Sequence, residues 1–148
     1  MKKKSTYIIF ALSVLLIILS VRLLKVQNQR IQLQDSIDST FKAQLGITLS
    51  SFSVEVNDNT YRSMVSSVYN VATLSELTSY EEINDSLDIS LYNLFISLRE
   101  DKSKNLVLSK IDELREIFFA LVLDPTDKKA TDQITQIVSD TFFNNEAG

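Results

Sequence analysis

An unbroken apolar run, Tyr7 to Val21, lies between Lys2, Lys3 and Lys4 on one side and Arg22 on the other. Read from Ser5 to Leu24, the stretch has about 20 residues and would span roughly 30 Å as a helix, one bilayer core. A helix with no polar side does not fit the surface of a soluble core. Arg22 sits near the end of the run, where its charge can snorkel to the headgroups. Ser13 and Ser20 can donate to backbone carbonyls one turn back, so they cost little in lipid. The segment is read as an uncleaved signal anchor. A cleaved secretory signal would need a small-residue cleavage site, and Val21-Arg22-Leu23-Leu24-Lys25-Val26 supplies none. A pilin-type leader would need a glycine before the apolar helix, and none precedes Tyr7.

Cations set the expected orientation. Lys2, Lys3 and Lys4 form a tighter cluster than Arg22, Lys25 and Arg30 on the other flank. This places the N-terminus in the cytoplasm, at the cell membrane, and the rest of the chain in the extracytoplasmic space. Fifteen Lys and Arg, less the four at Lys2, Lys3, Lys4 and Arg22, leave 11 against 19 acids, a net charge of −8 for the body. Such a body does not suit nucleic acid, which needs a basic footprint. The chain has no Cys, so stability outside the cell must come from packing alone. It also has no His, which removes the commonest general base and transition-metal ligand. No cofactor and no enzymatic activity are expected. The composition suits a bacterial surface protein.

Gly occurs only at Gly46 and Gly148 and Pro only at Pro125, so little interrupts helix. Val26, Leu33, Ile37, Phe41, Leu45, Leu49, Phe52 and Val56 form one stripe at helical spacing, continuing from the membrane segment to about Glu55. Val56 to Thr60 reads as turn and cap. A second helix, about 60–77, carries Tyr61, Met64, Val65, Val68, Val71, Ala72, Leu74 and Leu77. Ser79 and Glu82 have the spacing of a capping box for a third helix with Tyr80, Ile83, Leu87, Leu91, Leu94 and Leu98. A fourth, from about Asp101 to Pro125, carries Val107, Ile111, Leu114, Phe118 and Leu121. Asp124 to Asp127 stops it and starts a fifth, about 126–144, with Ala130, Ile134, Ile137, Val138 and Phe142 inward.

Short connections make neighbouring helices antiparallel. The expected fold is all-α: a single N-terminal transmembrane helix continuing into an antiparallel up-down bundle of four to five helices. The expected organisation is a cytoplasmic start at 1–6, the anchor at 7–24, a polar stalk at 25–38, the bundle at 39–144 and a tail at 145–148. At the level of fold alone, this layout resembles the extracytoplasmic helical domains of bacterial sensors. It departs from them in having no second apolar span and no signalling domain.

Two sets of residues stand out. Ile117 to Leu123 is apolar all round, so it is either central in the bundle or a contact surface. Phe119, Val122, Leu123 and Phe143 are the candidate contact residues. They suit a non-enzymatic module that binds a membrane or envelope protein, or a second copy of the chain, while residues 7–24 meet the bilayer. The alternative is a small-ligand co-sensor with Tyr69, Tyr80 and Tyr92 around a cavity and Tyr61 nearby, although tyrosines at helix seams commonly serve as core residues with a wet hydroxyl. Three further signals read as structural. Glu81, Glu82, Asp85 and Asp88 suit a solvated helix start better than Ca²⁺, which wants six to eight oxygens. Ser50-Ser51 and Ser66-Ser67 lack a base for nucleophilic work. Asn84-Asp85-Ser86 matches a glycan acceptor by three residues only.

Overall fold

A computed structural model describes the backbone of residues 2–143 and the side chains of residues 10 and 12–142. Among them every regular element is helical, with no strand: α1 (Lys2–Ser51), α2 (Asp58–Ser75), α3 (Leu87–Arg99), α4 (Asp101–Leu108), α5 (Ile111–Leu123), α6 (Lys128–Val138) and a closing π-helical turn (Ser139–Phe143). The chain divides into two units, one ending at Ser36 and the other beginning at Ile37.

The first unit is the N-terminal part of α1. Every side chain from Leu12 to Leu33 is exposed. The helix is long and apolar enough to cross a membrane. Ser20 Oγ donates to the Leu16 carbonyl at 2.9 Å, which hides its polarity as the spacing predicts.

The second unit holds the core. Phe41, Leu45 and Phe52 of the expected stripe are fully buried and Leu49 is partly so, but Val26, Leu33 and Val56 are exposed. Val26 and Leu33 lie in the first unit. α1 ends at Ser51 rather than near Glu55. There the hydroxyls of Ser50, Ser51 and Ser53 donate to the carbonyls of Gly46, Thr48 and Leu49. α1 passes through Gly46 unbroken, and a methyl added there would meet nothing within 4 Å. Packing therefore does not require the glycine.

Asn57 caps α2 as the turn signal predicts. Its side chain accepts from the N–H groups of Asn59 and Thr60, at 3.0 and 3.1 Å. Thr60 Oγ1 in return accepts the Asn57 N–H at 2.7 Å. Along α2, Met64, Val68, Val71 and Ala72 are buried.

The expected third helix is corrected at its start. Ser79 and Glu82 do not cap it: residues 79–83 form turns and α3 begins at Leu87. A tertiary contact takes Ser79 instead, because its N–H donates to Asp38 Oδ1 at 2.9 Å and its hydroxyl to Asp38 Oδ2. Ile83 and Asn84 then turn back onto the Tyr80 carbonyl, at 3.0 and 2.8 Å. Ile83, expected inside, is exposed. The expected fourth helix is two, which raises the count to six. Ser109 Oγ donates to the Leu106 carbonyl at 2.6 Å, and the Lys110 N–H closes a tight turn on Val107 at 2.9 Å. A hydroxyl that competes for helix carbonyls favours such a break. The apolar register survives it, since Val107, Leu114, Phe118 and Leu121 are all fully buried. α6 stops at Val138, and the chain continues as the π-helical turn.

Hydrogen bonds fix the helix directions. Ser51 meets Ser67 at 3.0 Å while Asp38 meets Ser79, so the end of α1 and α2 run antiparallel. Arg115 Nη2 donates to the Phe52 carbonyl at 3.1 Å, and the Phe52 and Phe118 rings lie 5.1 Å apart. α3 and α6 run in the same sense: Asn84, just before α3, bonds Thr131, and Ser90 bonds Thr135, both at 2.8 Å.

Asn84 is wholly buried. Its Nδ2 donates to Pro125 O at 3.2 Å and to Thr131 Oγ1 at 2.8 Å. The nitrogen a glycan would occupy is thus spent inside the fold, which removes the acceptor reading. Thermal melts should show Asn84→Ala losing about 2 kcal/mol, since it strands the Pro125 carbonyl and opens space in the core.

Asp124 ends α5, and its Oδ1 accepts from the hydroxyl and the N–H of Thr126, at 2.7 and 2.9 Å. The Thr126 hydroxyl, then its N–H, then nearby Lys42 hold this carboxyl below its ordinary value. A carboxyl depressed in the folded state stabilises above its unfolded pKa of about 3.9 and loses that contribution as pH falls through the folded value. The stability gap between the native chain and Thr126→Ala, measured in urea, should therefore narrow below about pH 4.

Candidate interaction surfaces

α5 shows how one all-apolar sequence is divided by its neighbours. Leu114, Ile117, Phe118 and Leu121 turn inward. Phe119 and Leu123 turn outward, 56% and 68% exposed. Val122 lies between, partly buried and packed against the core. The run Ile117 to Leu123 is thus divided between a buried face and an exposed one. Phe143 closes the π-helical turn, and its side chain is outside the described residues.

Phe119 borders a groove of about 380 Å³ with Leu49, Ser53, Arg115 and Glu116. Arg115 stiffens this rim, because it reaches the Phe52 carbonyl with one nitrogen and Asp112 Oδ1 with the other at 3.0 Å.

The tyrosines do not converge. Tyr69 and Tyr92 both pack on Phe95, with ring centroids 5.0 and 6.0 Å away, and each is about half exposed. Tyr80 lies elsewhere, 6.0 Å from Phe41 and under Lys42. The three therefore do not surround one cavity. A different aromatic cluster forms a groove of about 490 Å³, with Tyr61, Arg62, Val65, Ser66 and Tyr69 from α2, Phe95 and Arg99 from α3, and Asp101 and Lys104 from α4. The Tyr61 hydroxyl donates to the Leu98 carbonyl at 2.5 Å, and the Lys104 ammonium sits 3.8 Å from the ring centre. Burial, then the Asp101 charge, raises the Tyr61 pKa. The sequence signal for this groove was the i, i+4, i+8 set Tyr61, Val65 and Tyr69 with Arg62 and Ser66 beside it. What periodicity left out was the contribution of α3 and α4.

A third groove, about 430 Å³, runs between α5 and α6 and is lined mostly by charged and amide side chains, including Lys110, Glu116, Lys129 and Asp140. Lys110 donates to Glu113 at 2.8 Å, and this bond raises its pKa.

The acids before α3 do not share a helix face, because Glu81, Glu82 and Asp85 lie in turns and only Asp88 is helical. Among the described residues no three acidic side chains gather to hold a metal ion. The paired serines are occupied within the fold: Ser67 Oγ donates to Met64 O at 2.8 Å, and Ser51 Oγ to Thr48 O at 2.7 Å. No family model, curated protein or solved structure matches the chain.

Proposed function

We propose that this is a single-pass membrane protein whose helical unit acts outside the cytoplasm as a non-enzymatic protein–protein interaction module. The observation that carries the reading is the outward face of α5, where Phe119 and Leu123 stand exposed beside the Leu49 groove. Two large apolar side chains one turn apart, on a helix whose other face is already buried, suit contact with another surface. The apolar part of α1 supports anchorage through residues 7–24, and Lys2, Lys3 and Lys4 support a cytoplasmic N-terminus. We read the helices after α1 as an up-down bundle, in keeping with the antiparallel pairing of α1 with α2 and the common sense of α3 and α6. The partner is a membrane or envelope protein or a second copy of the chain.

Phe119→Asp and Leu123→Asp should abolish co-purification of the partner from detergent-extracted membranes, with the unfolding free energy unchanged within the ~0.5 kcal/mol typical of surface changes. Val122→Asp should instead lower the melting temperature, because that side chain is partly core. Equal destabilisation by all three would make the face structural and end the interaction reading.

Orientation has its own test. The chain has no cysteine and Ser86 is exposed, so Ser86→Cys gives a unique label site. A membrane-impermeant maleimide should label it on intact cells. Labelling only after lysis would invert the topology.

A further inference from the structure

The Tyr61 groove shares no lining residue with the Phe119 face. Its floor is apolar and aromatic, formed by Tyr61, Val65, Tyr69 and Phe95. Arg62, Arg99 and Lys104 stand around it against Asp101 as the one acid of the lining, although the body as a whole carries 11 cations and 19 acids. Two of the cations lie over aromatic rings. The Arg99 guanidinium lies 5.4 Å from the Phe95 ring centre, and Lys104 lies closer still to Tyr61. Leu98 holds the Tyr61 hydroxyl, so that ring is fixed. Arg99 also pairs with Glu100 at 3.2 Å, with both side chains about half exposed. An exposed pair of this kind contributes little and leaves guanidinium donors for a second carboxylate.

The groove is open along its length. A small ligand in it would keep much of its surface wet, whereas a strand of peptide needs only one side covered. We propose that the groove docks an acidic segment of a partner protein. One aromatic or large aliphatic side chain of that segment lies on Tyr69 and Phe95, and its carboxylates face Arg62, Arg99 and Lys104. Beside an apolar floor, such charge-assisted bonds are stronger than in open water. The net charge of the body repels acidic chains in general, so the groove is where attraction wins, and that contrast supplies specificity. The chain's own acidic stretch, Glu81 to Asp88, cannot serve in the same molecule. It lies at the N-terminal end of α3 while Arg99 is at the other, about 18 Å along the axis.

The test is selection of a random dodecapeptide display library on the full-length protein in nanodiscs, followed by fluorescence anisotropy with the best synthetic peptide. Selected peptides should carry Asp and Glu around an aromatic or large aliphatic residue. The double variant Arg62→Glu/Lys104→Glu should weaken the best peptide by about tenfold or more, with unchanged helicity and melting. Arg62→Lys/Lys104→Arg, which keeps the charge, should retain binding, as should Phe119→Asp, which separates this groove from the α5 face. Absence of enrichment, enrichment of neutral or basic peptides, or acidic peptides indifferent to the charge reversal would each overturn the proposal.

Discussion

Leu87, Leu91, Leu94 and Leu98 occupy one stripe of α3, and all four are out of water. Burying a leucine contributes about 1.5–3 kcal/mol, and no disulfide shares the task in this chain. α3 packs on α2, α4 and α6. Its flanking positions are therefore small: Ser90 and Ser97 are buried beside the leucines. Small side chains let neighbouring backbones come near, but each buried hydroxyl then needs a partner. Ser90 bonds Thr135 on α6. The Ser97 hydroxyl is buried without a partner among the described residues, while its backbone carbonyl accepts from Ser103 Oγ at 2.8 Å, tying α4 to α3.

That arrangement explains the irregular stretch before α3. The Asn84 side chain reaches Pro125 and Thr131 and so binds the two connections together. The turns on either side of Asn84 place its amide there. The same turns let Asp38 hold Ser79, so the local cap signal yields to two long-range hydrogen bonds. The acids that looked like a helix face are dispersed as a result.

The surfaces follow from the packing. α5 presents Phe118 to Phe52 and Phe119 to solvent because adjacent helical residues point about 100° apart and α1 covers one side only. The Tyr61 groove exists because the α3–α4 junction, at Glu100, brings Lys104 back over α2. A continuous helix there would have carried that cation away. The apolar face and the basic aromatic groove thus arise from different junctions of the fold and can be tested separately.

Residue pattern alone was enough for the all-helical character, the long apolar α1, a turn and cap within Val56 to Thr60, the inward faces of α5 and α6 and, apart from the exposed Leu77, that of α2. The physical reason is that helical periodicity and side-chain burial follow from spacing within one segment. Spacing could not reveal the late start of α3 or the break at Ser109. Nor could it show which face of the Ile117–Leu123 run meets solvent, or that Tyr80 joins Phe41 while Tyr61 and Tyr69 join α3 and α4. Apart from the break at Ser109, which its own hydroxyl favours, those outcomes depend on partners tens of residues away, Asp38 for Ser79 and Pro125 for Asn84 among them. Long-range hydrogen bonds and packing can outweigh a local preference of about a kilocalorie, and spacing within one segment does not reveal them, so only the tertiary structure decided them.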